Sequence, residues 1–266
     1  MTGRVQGAAS TRFEQVVKPG FFRRWCSLHQ LDIVLQGFFK AIMDNEFYSL
    51  LTGLISYLLR QLTLINEMNT KAQKVADTRW ESMSGVASWF RKHRRTLQVY
   101  LDEKKPGSCA PPVVWWVFTM FVAKISCEAT YTFRSLKGLT TLVSQQREGL
   151  LKLHSTYLSW FMATGPLLED DANLVDLDTS VLSTDKKFSI KFDNVTTVPE
   201  DLGNYVITAI DELGAEDMIP VLTNMAACSV ELLAKIEAIV CEHDSRNKAA
   251  DFMPPVLPHQ LVKLQG

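Results

Sequence analysis

Phe47-Tyr48-Ser49-Leu50-Leu51-Thr52-Gly53-Leu54-Ile55-Ser56-Tyr57-Leu58-Leu59-Arg60-Gln61-Leu62-Thr63-Leu64-Ile65 decides the fold class. Phe47, Leu50, Leu51, Leu54, Ile55, Leu58, Leu59, Leu62 and Ile65 recur at three- and four-residue steps, with no proline between them. That period puts a wide apolar stripe on one helix of at least four turns, whose inward face runs through Leu62 and Ile65. The same spacing precedes it over 29–43, in Leu31, Val34, Leu35, Phe38 and Ile42, and Asp44-Asn45 makes the break and the N-cap between the two.

Downstream, the pattern predicts helices over 78–103, 113–133, 136–162, 200–213 and 215–243. Val86, Trp89, Phe90, Leu97 and Leu101 point inward on the first, and Leu222, Met225, Ala226, Leu233, Ile236 and Val240 on the last. Pro106-Gly107-Ser108-Cys109-Ala110-Pro111-Pro112 interrupts the first half. Residues 169–187 read as an exposed, acidic connection. Phe188-Ser189-Ile190-Lys191-Phe192 alternates apolar with polar and is one of very few strand signals. Prolines extend the tail at 254–266.

Composition narrows the function. The 266 residues are 47% hydrophobic, enough for a core, and the formal charge of -1 supplies no global attraction to nucleic acid. Any DNA contact must be a local patch. Five scattered cysteines without a CxxC pair suit a reducing compartment, and the N-terminus shows no charged region followed by a short apolar stretch, so no signal peptide is expected. The most hydrophobic run, Val113–Ala123, is shorter than the roughly 20 residues that span a bilayer. The expectation is an intracellular protein, nuclear or cytoplasmic, neither secreted nor membrane-bound.

Three groups of residues carry candidate chemistry. Cys26 and His29, three apart at a helix start, make half of a tetrahedral zinc site, but His93, His154, His243 and His259 each stand alone and no second pair completes it. The plain alternative is a small buried thiol and a polar helix-start residue. Arg79-Trp80 offers a guanidinium for a phosphate and an indole face on which a base can stack, worth roughly 1–3 kcal/mol per base. The alternative is a tryptophan packed in the core. Arg91, Lys92, Arg94 and Arg95 put several cations within little more than a turn, with Arg12, Arg23 and Arg24 as lesser companions. They read either as a phosphate-binding face or as a solvated one, and Asp102-Glu103 follow close behind. Glu169-Asp170-Asp171 is acidic enough to attract a cation, yet such loops are usually simply solvated.

The order of these motifs resembles the hAT superfamily of transposases. There a C-x-x-H motif opens a helix of the form H-x-L-(D/N)-x-V, which His29-Gln30-Leu31-Asp32-Ile33-Val34 fits, and a T-R-W-x-S box follows, which Thr78-Arg79-Trp80-Glu81-Ser82 fits. The resemblance implies a mostly α fold, in which a remnant of a ribonuclease-H-like α/β domain (1–77) joins an all-helical insertion (78–253) and an extended tail (254–266). It implies that Trp80 matches the tryptophan that stacks on a flipped base. It also places Met1-Thr2-Gly3-Arg4 just after the family's second catalytic aspartate, and the sequence has no match for the three catalytic acids. The expectation is therefore a transposase-derived protein without catalytic residues and without a cofactor, a divalent metal entering only with a complete acidic site. Its partners would be DNA, other proteins or further copies of itself. The alternatives are an active DDE-type recombinase and a helical interaction protein with no nucleic-acid role.

Overall fold

The computed structural model describes residues 27–74, 80–136, 143–196 and 204–248. They form α1 (Ser27–Ile42), α2 (Asn45–Leu58), α3 (Leu62–Met68), α4 (Trp80–Lys104), a 3-10 turn (Gly107–Cys109), α5 (Val113–Leu136) and α6 (Val143–Trp160). Then come α7 (Glu169–Asn173), β1 (Ser180–Leu182), β2 (Ser189–Lys191), α8 (Phe192–Thr196), α9 (Asn204–Asp211) and α10 (Ala215–Lys248). The chain is mostly helical, as the periodicity requires.

Asp44 caps α2 as its position suggests: its Oδ1 accepts a hydrogen bond from the Phe47 amide at 2.7 Å. The long helix over 47–65 does not form. It stops at Leu58, and α3 leaves at 88°. Neither proline nor glycine makes this corner; side chains do. Arg60 Nε donates to the Ser56 carbonyl and Gln61 Nε2 to the Tyr57 carbonyl, satisfying last-turn acceptors that a continuing helix would have used. Tyr100 on α4 then donates to Gln61 Oε1 at 2.9 Å. Beyond the corner the inward face changes: Leu64 is buried, while Leu62 is 72% exposed.

α5 lies at the centre. Trp115, Trp116, Val117, Phe121, Val122 and Ile125 bury side chains on every side of it, against α4, α6, α9 and α1. A helix apolar all round is one that its neighbours enclose. Trp115 stacks on Phe47 with ring centres 5.0 Å apart and meets Phe90 edge-on at 5.3 Å, so that α2, α4 and α5 share one aromatic junction. Three buried hydroxyls here are partnered: Thr119 and Ser126 donate to carbonyls four residues back, and Tyr157 on α6 donates to the Ile125 carbonyl at 2.7 Å. The Lys124 ammonium sits 4.1 Å from the centre of the Trp160 ring.

The apolar run beginning at Val113 does not end at Ala123. α5 continues to Leu136, and its 24 residues, like Ala215–Cys241 of α10, are long and apolar enough to cross a membrane. The short-run argument against a span therefore fails on length. Two thirds of the α5 window is nevertheless covered by the rest of the chain.

The expected strand at 188–192 is present as β2. Its antiparallel partner β1 arises from the stretch read as a bare connection, with Val181 opposite Ile190. Ser183 Oγ accepts from the amides of Lys187 and Phe188 and closes the turn. Among the described residues this pair is the whole of the β-structure apart from one bridge, Thr164 to Ser189. It falls inside the region expected to be all-helical, and the described part of 1–77 is helical throughout its regular elements. The main chain of 164–167 lies along β2, with Thr164 exchanging both bonds with Ser189 and the Leu167 amide donating to the Lys187 carbonyl. Gly165 permits that approach, since a Cβ there would collide with the Phe188 ring and the Lys187 carbonyl oxygen.

One buried cluster joins residues from α1 to α10. α1 packs along α10 and also touches α4 and α5, so the core runs across the expected boundary at residue 77. The tail at 254–266 lies outside the described residues.

Candidate functional site

Cys26, Arg79 and the companions Arg12, Arg23 and Arg24 lie outside the described residues. Trp80 begins α4, but its side chain is outside the described part. His29 is half-buried near the start of α1. The stacking platform and most of the zinc half-site therefore lie outside the described residues.

The basic run on α4 divides. Lys92 and Arg95 are exposed, and neither makes an ion pair with another described residue. Arg91 is half-buried. Arg94 turns inward: its guanidinium lies 3.6 Å from the centre of the Tyr205 ring on α9 and donates to Gln98 Oε1 at 2.6 Å, while Gln98 Nε2 donates to the Tyr205 hydroxyl at 2.9 Å. Arg94 thus fastens α4 to α9 by a stacked, hydrogen-bonded contact. Burial lowers its pKa from the usual arginine value. His93 packs at 5.1 Å from the Trp89 ring, and burial, then the neighbouring Lys92, lowers its pKa.

Among the described residues no three His, Cys, Asp or Glu side chains stand where they could hold one metal ion. A cavity of about 240 Å³ opens between α1 and α10, with Gly37, Phe38 and Ala41 on one wall and Cys228, Glu231 and Lys235 on the other. Burial pushes the Cys228 thiol pKa up to about 11, and Sγ donates to Asn224 Oδ1 at 3.3 Å. Glu231 is occupied as well, accepting from the Thr184 amide at 2.7 Å and its hydroxyl at 2.6 Å, which pins the hairpin to α10.

His154 on α6 sits against Phe188, ring centres 5.5 Å apart, with Nε2 buried and without a hydrogen bond. Burial lowers its pKa, and a contact with the Leu233 carbonyl opposes this less strongly. Glu237, one turn beyond Leu233, is raised first by burial, with Lys187 lowering and Asp185 raising it further. A histidine with a lowered folded pKa contributes stability above its ordinary pKa, near 6.5, and loses it as pH falls through the folded value. Glu237 has the opposite sign, its contribution being complete below its ordinary value and lost as pH rises. We expect the urea midpoint to fall as pH drops below about 6.5, and to fall less in His154→Gln. Equal falls in the two proteins would remove His154 as the cause.

The most distinctive surface lies where the sequence suggested only a connection. Between α6 and the hairpin, residues 162–185 carry Glu169, Asp170, Asp171, Asp176, Asp178 and Asp185 and no Lys or Arg. All six are exposed. Asp176 caps a local turn by accepting from the Asp178 amide and the Thr179 hydroxyl, and Asp185 takes Ser183 and Lys187. The side chains of Glu169, Asp170, Asp171 and Asp178 make no hydrogen bond or ion pair with another described residue. Three of them occupy the first turn of α7, where the helix dipole favours negative charge. That accounts for their local placement but not for the leucines among them. Leu168, Leu174 and Leu177 are 73%, 83% and 65% exposed, and Met162 is exposed at the edge of the same stretch. Single exposed leucines are ordinary; a group on one short segment is not. The visible signal was Leu174-x-x-Leu177, with Asp176 and Asp178 on either side of the second leucine, in a stretch that charge alone had classed as solvated.

What the geometry defines is a class, a mostly helical protein with one antiparallel hairpin and an acidic, leucine-bearing shoulder between α6 and α8. Searches against protein-family models, curated proteins and solved structures found no match to this chain.

Proposed function

We propose that the chain is a helical interaction protein descended from a hAT-type transposase, and that within these residues it acts by binding other proteins rather than by catalysis. The descent rests on the ordered motifs around Cys26, His29, Arg79 and Trp80, with α1 as the relic of the ribonuclease-H-like domain. The binding role rests on one observation, the exposed leucines and unpaired carboxylates of 162–178 on a segment tied down by main-chain bonds to β2. Apolar side chains held in water on a fixed backbone mark a contact surface. The long apolar helices α5 and α10 serve in this reading as enclosed core helices.

A benzophenone amino acid at Leu174 or Leu177, in the full chain made in its own cells, is expected to cross-link to discrete proteins. The same group at the exposed Lys152 of α6 is not. Equal labelling from both places, or adducts to nucleic acid alone, overturns the reading.

A nucleic-acid role is the second reading, favoured by the exposed Lys92 and Arg95 on one side of α4. Magnitude ranks it lower. Two phosphate contacts give a salt slope of only about 2, far from that of a dedicated DNA-binding surface, and exposed Asp102 and Glu103 follow on the same helix. Salt-dependent DNA binding that Lys92→Glu with Arg95→Glu abolishes would move it to first place.

A further inference from the structure

The shoulder's chemistry specifies its occupant. We propose that it receives a cationic amphipathic helix of a partner protein, with apolar residues against Leu168, Leu174 and Leu177 and Lys or Arg residues over Glu169, Asp170, Asp171 and Asp178. This rests on reading the shoulder as a protein-docking surface.

Sign eliminates most competitors. The four unpaired carboxylates, in a stretch (162–185) with no Lys or Arg of its own, repel nucleic acid and anionic lipid headgroups alike. An uncharged apolar ligand would leave four unpaired carboxylates beside the contact, and a purely basic peptide would leave the leucines wet. Only a ligand with both characters satisfies both sets of groups.

Leu168 and Leu174 flank the five residues of α7, about 9 Å apart along its axis at the helical rise of 1.5 Å per residue, and Leu177 follows inside the turn that Asp176 caps. The seat itself is held still. Thr164 and Leu167 are bonded to β2, and the Phe192 amide donates to the Thr179 carbonyl at 3.1 Å, so both ends of the 168–178 segment are fixed before a ligand arrives.

The test uses the full chain and fluorescein-labelled model helices of about 18 residues, five turns long. One carries leucine at helical spacing and lysine elsewhere, a second has the same composition scrambled, and a third has glutamate for lysine. Anisotropy should show the first binding at least about tenfold more tightly than the other two, and weakening as salt rises. Leu174→Ser with Leu177→Ser, and separately Asp170→Lys with Asp171→Lys, should each weaken it about tenfold or more. All these residues are exposed, and an unchanged circular-dichroism melt confirms the fold. If a variant fails to fold, the scrambled and acidic peptides against the parent chain decide alone. Equal binding of the amphipathic and scrambled peptides, or of parent and folded variants, overturns the proposal. So does a concentration-dependent dimer in sedimentation that the same variants abolish, which assigns the seat to a second copy. Peptide failure with cross-linking from Leu174 intact sinks the partner chemistry alone; failure of both sinks the docking reading.

Discussion

Phe90→Ala is expected to destabilise the protein by about 3–5 kcal/mol, the range for emptying a fully buried aromatic site. The Phe90 side chain has no exposure and touches three indoles: Trp89 at 5.1 Å, Trp115 at 5.3 Å and Trp116 at 6.0 Å between ring centres. Those rings come from α4 and α5, and Trp115 is stacked on Phe47 from α2. Such walls collapse poorly, because Trp115 and Trp116 are already wedged edge-on against each other, so most of the void persists. A loss of that size is a large part of the total stability of an ordinary domain. Urea denaturation followed by tryptophan fluorescence measures it, and a loss below about 1 kcal/mol would show that the junction is softer than its packing.

Leu35→Asp should have an even larger effect, above about 4 kcal/mol, because it places an unpaired carboxylate inside the core. Leu35 is fully buried on α1, the helix that lies along α10 and reaches α5 through the Phe38–Phe121 contact at 6.0 Å. The diagnostic point is which parts of the protein fail. If residues up to 77 were an independent remnant, the helices from α4 onward would keep their own transition. A core continuous from α1 to α10 predicts a single loss of structure across the chain. Far-ultraviolet circular dichroism and hydrogen exchange on α5 and α6 separate the two. Native-like protection of α5 in Leu35→Asp would restore the boundary at 77.

Much of the helical architecture was legible. The apolar steps in 29–43, 78–103 and 215–243 correspond to α1, α4 and α10, and the inward residues named on α4 and α10 are buried. Asp44 was legible as a cap because the rule is local: a short oxygen-bearing side chain meets an amide three residues on. The corner after Leu58 was not. Its cause is a set of side-chain bonds from Arg60 and Gln61, secured by Tyr100 about forty residues away, and no periodicity in 47–65 encodes that partner. β1 escaped notice for a related reason. Three residues cannot display a period, and Ser180–Leu182 is a strand because β2 lies beside it.

The candidate sites follow the same division. The sequence shows four cations in the 91–95 run, but which of them face solvent depends on α9, whose Tyr205 claims Arg94 and leaves Lys92 and Arg95 outside. It shows acids and leucines mixed in 168–178, but whether those leucines are core or surface is a question about neighbours. By itself, then, the sequence determined the helical class, most helix positions and the burial of the helix faces, because these depend on residue type and on spacing within a few turns. Only the tertiary structure decided where the chain turns, which charges stay free and that Leu168, Leu174 and Leu177 remain in water. Each of these depends on a contact between residues far apart in the chain, whose geometry exists only once α6, α10 and the hairpin have packed.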